Sequence, residues 1–391
     1  MAPQPERGPS GGKPVKTTGM ALWSVAGLMT AALLLQGCGS TAAKPKATNQ
    51  QKKSQAAAQP QDFRGPLPAL DAVEFLTADQ GFVAGQGIVL ETSDGGQSWT
   101  RIYGGSQTIT SLAFVATSSG YALTSGGQVL AYRGAQWQSI SGLPGSASAI
   151  WLSGPSLGEL LTTKGTLYQA VGTSGGWQAE SLKGVIAACF QGSRGWAVTG
   201  GLKAAPKVWL TENGGATWAA TFSPGLTAAG DWSASVAASG TTAWLLFTSG
   251  SGQLEHQPYV AYVTHDLGQN WQEVLGAALF AQQGMYPAAP QSLYGLQAGP
   301  LAGDALNAYF VSWQPGSPND ILAITATADG GQSWHQMPVQ GVAQTATPYF
   351  FGPLGFAAPS GGTLWLVGSR AGAGRMLVSH DGGLTWQAPT F

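Results

Sequence analysis

An aspartate recurs at one position of a repeated eight-residue pattern, and a recurring carboxylate could in principle serve hydrolytic chemistry. The pattern, here called the box, begins with Thr or Ser, carries Asp or Asn third and ends with Trp. It occupies residues 92–99, 211–218, 264–271, 327–334 and 379–386. A glycosidase needs two facing carboxylates around the bond that it cleaves. Asp231 and Asp304 lie outside the boxes as further candidates, but nothing in the sequence pairs them.

The box residues also have a folding role that accounts for each residue type. An Asp such as Asp94 accepts hydrogen bonds from nearby backbone N–H groups, and the following glycines permit positive φ. The closing Trp packs a large apolar ring. Asn213 replaces Asp in one box, and its amide oxygen can accept the same bonds. We therefore predict no catalytic residue and a structural box built from Asp94, Trp99, Asn213, Trp218, Asp266, Trp271, Asp329, Trp334, Asp381 and Trp386.

The spacing of the boxes predicts the architecture. Two degenerate copies, at residues 131–137 and 173–177, lie in the widest gap between boxes, which separates residues 99 and 211. A four-stranded blade takes about 40 residues, and repeats at such periods are typical of propellers. Short apolar runs bounded by Gly, such as Gly81 to Gly85, read as the strands of each repeat. The sequence thus predicts an all-β, seven-bladed β-propeller of four-stranded antiparallel blades over residues 67–391, with each box between the third and fourth strands.

Composition restricts the classes of function. The chain has 58 Gly and 15 Trp, only 9% charged residues and a net charge of -1. This profile suits strands and turns and gives no basic surface for nucleic acid. Cys38 and Cys189 are far apart and the four histidines are dispersed. We therefore expect no metal, no cofactor, no nucleic acid and a monomer.

The N-terminus has the organisation of an export signal. Arg7, Lys13 and Lys16 precede an apolar run from Met20 to Leu35, and Cys38 follows Gly37. This order resembles a bacterial lipobox and implies a signal peptide over 1–37 with lipidation of Cys38. Residues 38–66 are polar and predict a flexible, disordered tether. We expect a lipid-anchored protein outside the cytoplasmic membrane, at the cell surface or in the periplasm; the alternative is a short transmembrane anchor.

The boxes resemble the Asp-boxes of BNR-repeat propellers. The phrase from Phe75 to Trp99 is most similar to propellers of the photosystem II assembly and stability factor type, and more distantly to sialidase and sortilin propellers. That resemblance implies a membrane-associated scaffold that binds protein partners and has no catalytic centre. The arginine-rich surface of the group is not matched here, so the resemblance covers the fold and the non-enzymatic character, not the partner.

A carbohydrate-active propeller is the alternative interpretation, either lectin-like or a glycoside hydrolase related to sialidases or xyloglucanases. Residues 63–66 read Phe-Arg-Gly-Pro, which differs from the Phe-Arg-Ile-Pro-like entry of sialidases. Seven repeats also exceed the six blades typical of that family. Fold alone does not imply the chemistry.

Strand alternation predicts where a partner binds. The turns after the first and third strands leave one face of a propeller, and the other connections share the opposite face. Insertions on that opposite face occur only in the second half of the chain, and loops on a rigid scaffold often carry binding residues. The candidate binding residues for a protein or a cell-envelope glycan are Trp232, His256, Tyr286, Trp313 and Arg370. The chain has few charged groups, so its net charge changes little as pH falls. This suggests that the protein works in an acidic external environment.

Overall fold

The structure of the protein is a computed structural model. It describes residues 61–153, 156–171, 176–201, 204–226, 231–249, 259–276, 297–302, 304–314, 321–339, 351–360 and 362–389. The predicted signal peptide, Cys38 and the tether up to residue 60 lie outside these ranges. Within the ranges, the chain forms strands and turns, and no helix is long and apolar enough to cross a bilayer.

The first sheet has seven strands and contains two sequence repeats. Its strands are β1 (Gln61–Asp62), β2 (Leu70–Phe75), β3 (Gly81–Thr92), β4 (Thr100–Ala116), β5 (Ser119–Thr124), β6 (Val129–Arg133) and β7 (Gln136–Ser139). Strand β3 pairs with β2 through its first half and with β4 through its second half. Strand β4 then pairs with β5, so its length links the two repeats.

The later repeats each form a sheet in which strands pair in chain order. Four sheets have four strands each. The second and third sheets of the chain contain β8 (Ala147–Ser153), β9 (Ser156–Thr162), β10 (Thr166–Val171) and β11 (Gly176–Lys183), and then β12 (Val185–Gln191), β13 (Arg194–Thr199), β14 (Lys207–Thr211) and β15 (Ala219–Phe222). The fourth and fifth sheets contain β16 (Trp232–Ser239), β17 (Thr242–Ser249), β18 (Tyr259–Thr264) and β19 (Gln272–Gly276), and then β20 (Gln297–Ala302), β21 (Ala308–Gln314), β22 (Ile321–Thr327) and β23 (His335–Pro338). The last sheet has β24 (Phe351–Ser360), β25 (Thr363–Arg370) and β26 (Ala373–Ser379).

These sheets confirm the predicted all-β propeller of antiparallel, mostly four-stranded units. Every pairing between the described strands is antiparallel, as short connections between consecutive strands require. Because hydrogen bonds merge the first two repeats into one sheet, the count of seven blades stays a prediction.

The core lies between neighbouring sheets and consists of aromatic and aliphatic side chains. The ring of Trp196 on β13 meets that of Trp271 edge-on at 5.5 Å, and Trp244 on β17 meets Trp334 in the same way at 5.8 Å. In both pairs, a second-strand Trp packs against the box Trp of the next repeat. Edge-to-face rings at this distance stabilise such contacts beyond simple burial.

The first and last sheets meet at a seam closed by chain segments from both ends. Gly374 donates its N–H to the carbonyl of Leu67 at 2.8 Å, and Pro68 forms a bridge with Ala373. Gln387 exchanges two backbone hydrogen bonds with Val378, each 2.9 Å long. Residues 67–68 and residue 387 therefore both pair with β26, so segments from both ends of the propeller complete the last sheet.

Candidate functional site

The box carboxylates are engaged within their own turns. In the fourth clear box, Thr327 Oγ1 donates to Asp329 Oδ1 at 2.8 Å, while Ser333 donates its N–H at 2.9 Å and its hydroxyl at 2.5 Å. Gly331 N–H donates to Thr327 Oγ1 at 3.0 Å. These bonds, the Ser333 hydroxyl first, lower the pKa of Asp329 to about 2. The carboxylate holds a turn and leaves no proton to exchange near neutral pH.

The boxes all lie on one face of the propeller. Gly95 donates its N–H to the carbonyl of Asp79, in the turn after the first strand of the same repeat, at 2.9 Å. Gly330 makes the equivalent bond to Leu306 at 2.9 Å, and Gly382 to Gly362 at 2.7 Å. The turns after first and third strands are thus bonded together. The remaining connections lie at the opposite ends of the strands, where the sequence predicts partner binding.

Two of the candidate binding residues belong to the sheets instead of loops. Trp232 begins β16, is 3% exposed and packs against Leu226 and Phe247, so it offers no ring to a partner. Burying the large apolar surface of this side chain in the core stabilises the fold more than exposing it to solvent would. Trp313 pairs with Leu322 inside the β21–β22 ladder, because the apolar run of β21 continues past Ser312. Both are corrections to the predicted loops.

The other candidates are only partly placed by the structure. Arg370 ends β25 at the turn to β26, on the face opposite the boxes, and is partly exposed. His256 and Tyr286 lie outside the described residues. The predicted binding face therefore stays a prediction. Arg370 is the candidate residue that the structure places on that face with a partly exposed side chain.

The structure brings together two carboxyl groups that sequence reasoning missed. Glu159 on β9 is 2% exposed and Glu180 on β11 is 6% exposed, and both face the box at residues 211–218. Burial, and then the charge of Glu180, raises the pKa of Glu159 to about 7. Burial also raises the pKa of Glu180, although the Trp218 indole, which donates at 2.8 Å, opposes this rise. Being buried, the pair cannot reach a glycan.

A third carboxyl group, which is half-buried, joins the first two repeats. Glu74 on β2 accepts the N–H of Phe114 on β4 at 2.9 Å. Burial raises its pKa to about 7, because the charged form is poorly solvated there. Like Glu159, Glu74 belongs to an interface between repeats.

Groups that could hold a metal do not come together in the described ranges, where no three His, Cys, Asp or Glu side chains are clustered. Cys189 is a free cysteine on β12, and burial raises the pKa of its thiol to about 11. That environment favours the neutral thiol, which packs as a small apolar group.

Comparisons with known proteins show which proteins the chain is similar to. Residues 66–198 match the family model described as photosynthesis system II assembly factor YCF48. A solved structure described as YCF48 bound to D1 peptide aligns with TM-score 0.52 and 17% identity, covering 84% of this chain and 98% of its own. No curated protein sequence matches the chain significantly.

Two further solved structures share the fold at lower identity. U3-55K aligns with TM-score 0.51 and 11% identity over 83% of this chain and 99% of its own. The tricorn protease aligns with TM-score 0.50 and 6% identity over 85% of this chain and 36% of its own. Sequence identities this low indicate a shared fold and give no information about function. The family match over residues 66–198, together with the propeller fold, confirms the resemblance to photosystem II assembly-factor propellers that the boxes predict.

Proposed function

We propose that this protein is an exported, membrane-tethered propeller that acts as a non-catalytic scaffold for binding or assembling other proteins. The family match over residues 66–198 carries the proposal. A structural neighbour is described as bound to a peptide, which supports a polypeptide as the class of partner.

The environment of the carboxyl groups supports a non-catalytic role. The described box carboxylates accept hydrogen bonds within their turns, as Asp94 does from Ser98 N–H at 2.9 Å. Asp304 is engaged in the same way by the N–H groups of Leu306 and Asn307, at 2.7 and 2.9 Å. Glu159 and Glu180 are paired but buried. A glycosidase needs its two carboxyl groups on either side of an accessible substrate bond.

We place the partner on the face opposite the boxes. Arg370 lies there, and arginine is a frequent anchor of protein interfaces because its guanidinium group donates several directed hydrogen bonds. On the box face, Leu384 is 61% exposed and serves as a matched reference position.

Site-specific photo-crosslinking on intact cells tests this placement. A photoreactive phenylalanine analogue at position 370 is expected to capture a discrete protein, while the same analogue at position 384 captures none. Capture from position 384 alone would reverse the assignment of the faces. Capture of glycan alone from position 370 would support the carbohydrate-binding alternative.

Membrane attachment is tested separately through Cys38. Cys38→Ser removes the thiol that the proposed lipid would modify, so the protein should move from the membrane fraction to the soluble exported fraction. Retention of the variant in the membrane fraction would show a different anchor. This outcome does not affect the binding proposal, because the crosslinking experiment has its own readout.

A further inference from the structure

Glu159 occupies a position that is aromatic in the other repeats. The second strand carries its ring at Phe82, Tyr121, Trp196, Trp244, Tyr309 or Trp365 in those repeats. A β-carbon on Gly268 would lie 3.0 Å from the Trp196 ring, and one on Gly331 would lie 3.3 Å from Trp244, so these box glycines press against the ring of the preceding repeat. In the repeat of Glu159, a carboxylic acid replaces that ring.

Because of this replacement, the box of the next repeat packs against carboxyl groups and not against an aromatic ring. A β-carbon on Gly215 would lie 2.4 Å from the carboxyl carbon of Glu180, and one on Gly214 would lie 3.9 Å from Glu159 Oε1. Gln169 on β10 donates to the Gly214 carbonyl at 2.5 Å. The contact between the β8–β11 sheet and the β12–β15 sheet is therefore polar at a position where the second strands of the other repeats carry an aromatic ring.

Two of the four carboxyl oxygens are buried without a hydrogen-bond partner, namely Glu159 Oε2 and Glu180 Oε1. A buried ionised carboxylate needs hydrogen bonds or an opposite charge to offset its lost hydration. Ionising both carboxyl groups in one buried interface costs free energy, because the two negative charges repel each other. A proton retained by one group removes that repulsion.

The surrounding charges offset the pair only in part: burial keeps the pKa of Glu180 raised, although the charge of Lys183 lowers it. Lys183 on β11 is exposed and donates its ammonium group to the backbone carbonyl of Glu180 at 3.0 Å. Across the interface, Glu212 is paired with Arg194 at 3.8 Å and both side chains are partly exposed. This box is also the one that carries Asn213 in place of Asp, which keeps one more carboxylate out of the neighbourhood.

We propose that Glu159 and Glu180 form a proton-controlled contact between these two sheets, closed while the pair retains a proton and weakened when both groups ionise. Acid then favours the closed contact. The sign follows from linkage: Glu159 ionises near 4.5 when exposed and near 7 in the fold, so the contact loses stability as pH rises between those values.

Hydrogen exchange followed by mass spectrometry tests the proposal at the contact itself. After correction for the intrinsic pH dependence of exchange, amides of residues 211–218 should exchange on the order of tenfold faster or more at pH 8 than at pH 5.5. Residues 264–271, whose Gly268 packs on Trp196, are the internal control and should change little.

Glu159→Gln is the decisive variant, because the amide is nearly isosteric and cannot ionise. It should remove most of the pH dependence at residues 211–218 and leave residues 264–271 unchanged. Glu180→Gln should act in the same direction.

Two results of the exchange comparison would overturn the proposal, and a metal control could give a third. One is an unchanged pH dependence at residues 211–218 in both Gln variants. The other is exchange that responds equally in both boxes, since that would indicate global destabilisation. Repeating the measurement with EDTA and with added Ca²⁺ distinguishes a bound cation: a marked response to either at pH 8 would assign the pair to metal and not to a proton.

Discussion

Phe75 on β2 and Trp365 on β25 stack with ring centroids 4.7 Å apart and planes 16° from parallel. Trp99 meets the same Trp365 edge-on at 6.0 Å. The indole of Trp365 in the last sheet therefore contacts two aromatic rings of the first repeat and belongs to the core between the first and last sheets.

Trp365→Ala should destabilise the protein by about 3–5 kcal/mol, because it removes a fully buried ring that the neighbouring sheet cannot replace. Trp365→Phe keeps an aromatic ring for Phe75 to stack on and should cost less than half as much. Denaturant unfolding monitored by circular dichroism measures both. Equal losses in the two variants would show that the stacking is unimportant.

Gly374→Ala should open the seam. A β-carbon at Gly374 would lie 2.1 Å from the Pro68 carbonyl oxygen, so the pairing with residues 67–68 must separate. We expect a loss of roughly 1–3 kcal/mol, as for other overpacked sites, and faster proteolysis within residues 61–70. Gly65→Ala is the control, because its β-carbon would meet nothing within 4 Å. Intact resistance to protease in Gly374→Ala would contradict the closure.

The hydroxyl that begins each box should be essential to the turn. Thr92 is 1% exposed, donates to Asp94 at 2.8 Å and accepts the N–H of Gly96 at 2.9 Å. Thr92→Val leaves the buried N–H of Gly96 without its acceptor and should cost about 1–3 kcal/mol, although Asp94 keeps its bond from Ser98 N–H. Thr92→Ser should be close to neutral, since Ser379 makes the same bonds in the last box. Thermal unfolding of the two variants provides the test.

Stability should decline between pH 4.5 and pH 7 in part through Glu74. Its pKa is about 7 in the fold against 4.5 when exposed, so the unfolded chain releases the proton first as pH rises. Glu74→Gln can still accept the N–H of Phe114 but cannot ionise. It should flatten the decline by roughly 1–3 kcal/mol between these pH values. Unfolding free energies at pH 4.5, 6 and 7.5 measure the difference; parallel curves for the two proteins would contradict the assignment.

Cys189 should be unreactive in the folded protein. Burial raises the pKa of its thiol to about 11, so little thiolate is present at pH 8. With Cys38 replaced by Ser, iodoacetamide should label the native protein slowly and the denatured protein rapidly. Fast labelling of the native protein would show that the thiol is accessible and ionised.

The strand order and the common face of the boxes were predictable from sequence because they follow from local chemistry. Gly95 adopts positive φ and Asp94 caps its own turn in the way that the residue types require. The seam was not predictable, because the pairing of Pro68 with Ala373 joins residues far apart in sequence through backbone atoms that carry no side-chain signature.

Errors at the candidate site arose from treating aromatic residues near loops as exposed. Trp232 starts a strand and is buried, and nothing in its immediate sequence distinguishes an interface anchor from a core residue. Glu159 did have a signal: alignment of the second strands shows a carboxylic acid among aromatic residues. Inspecting the repeats for departures from their own pattern finds that position, whereas inspecting them for shared residues does not.

The N-terminal segment of the propeller also has a mechanical consequence. Gln61 and Asp62 pair with Arg101 and Thr100 at the edge of the first sheet, and only afterwards does the chain reach the last sheet at Pro68. A pull applied ahead of Gln61 therefore loads this two-residue pairing before it loads the closure at Gly374. Under such a pull, the short pairing of β1 with β4 should therefore separate before the pairing of Pro68 with Ala373 does.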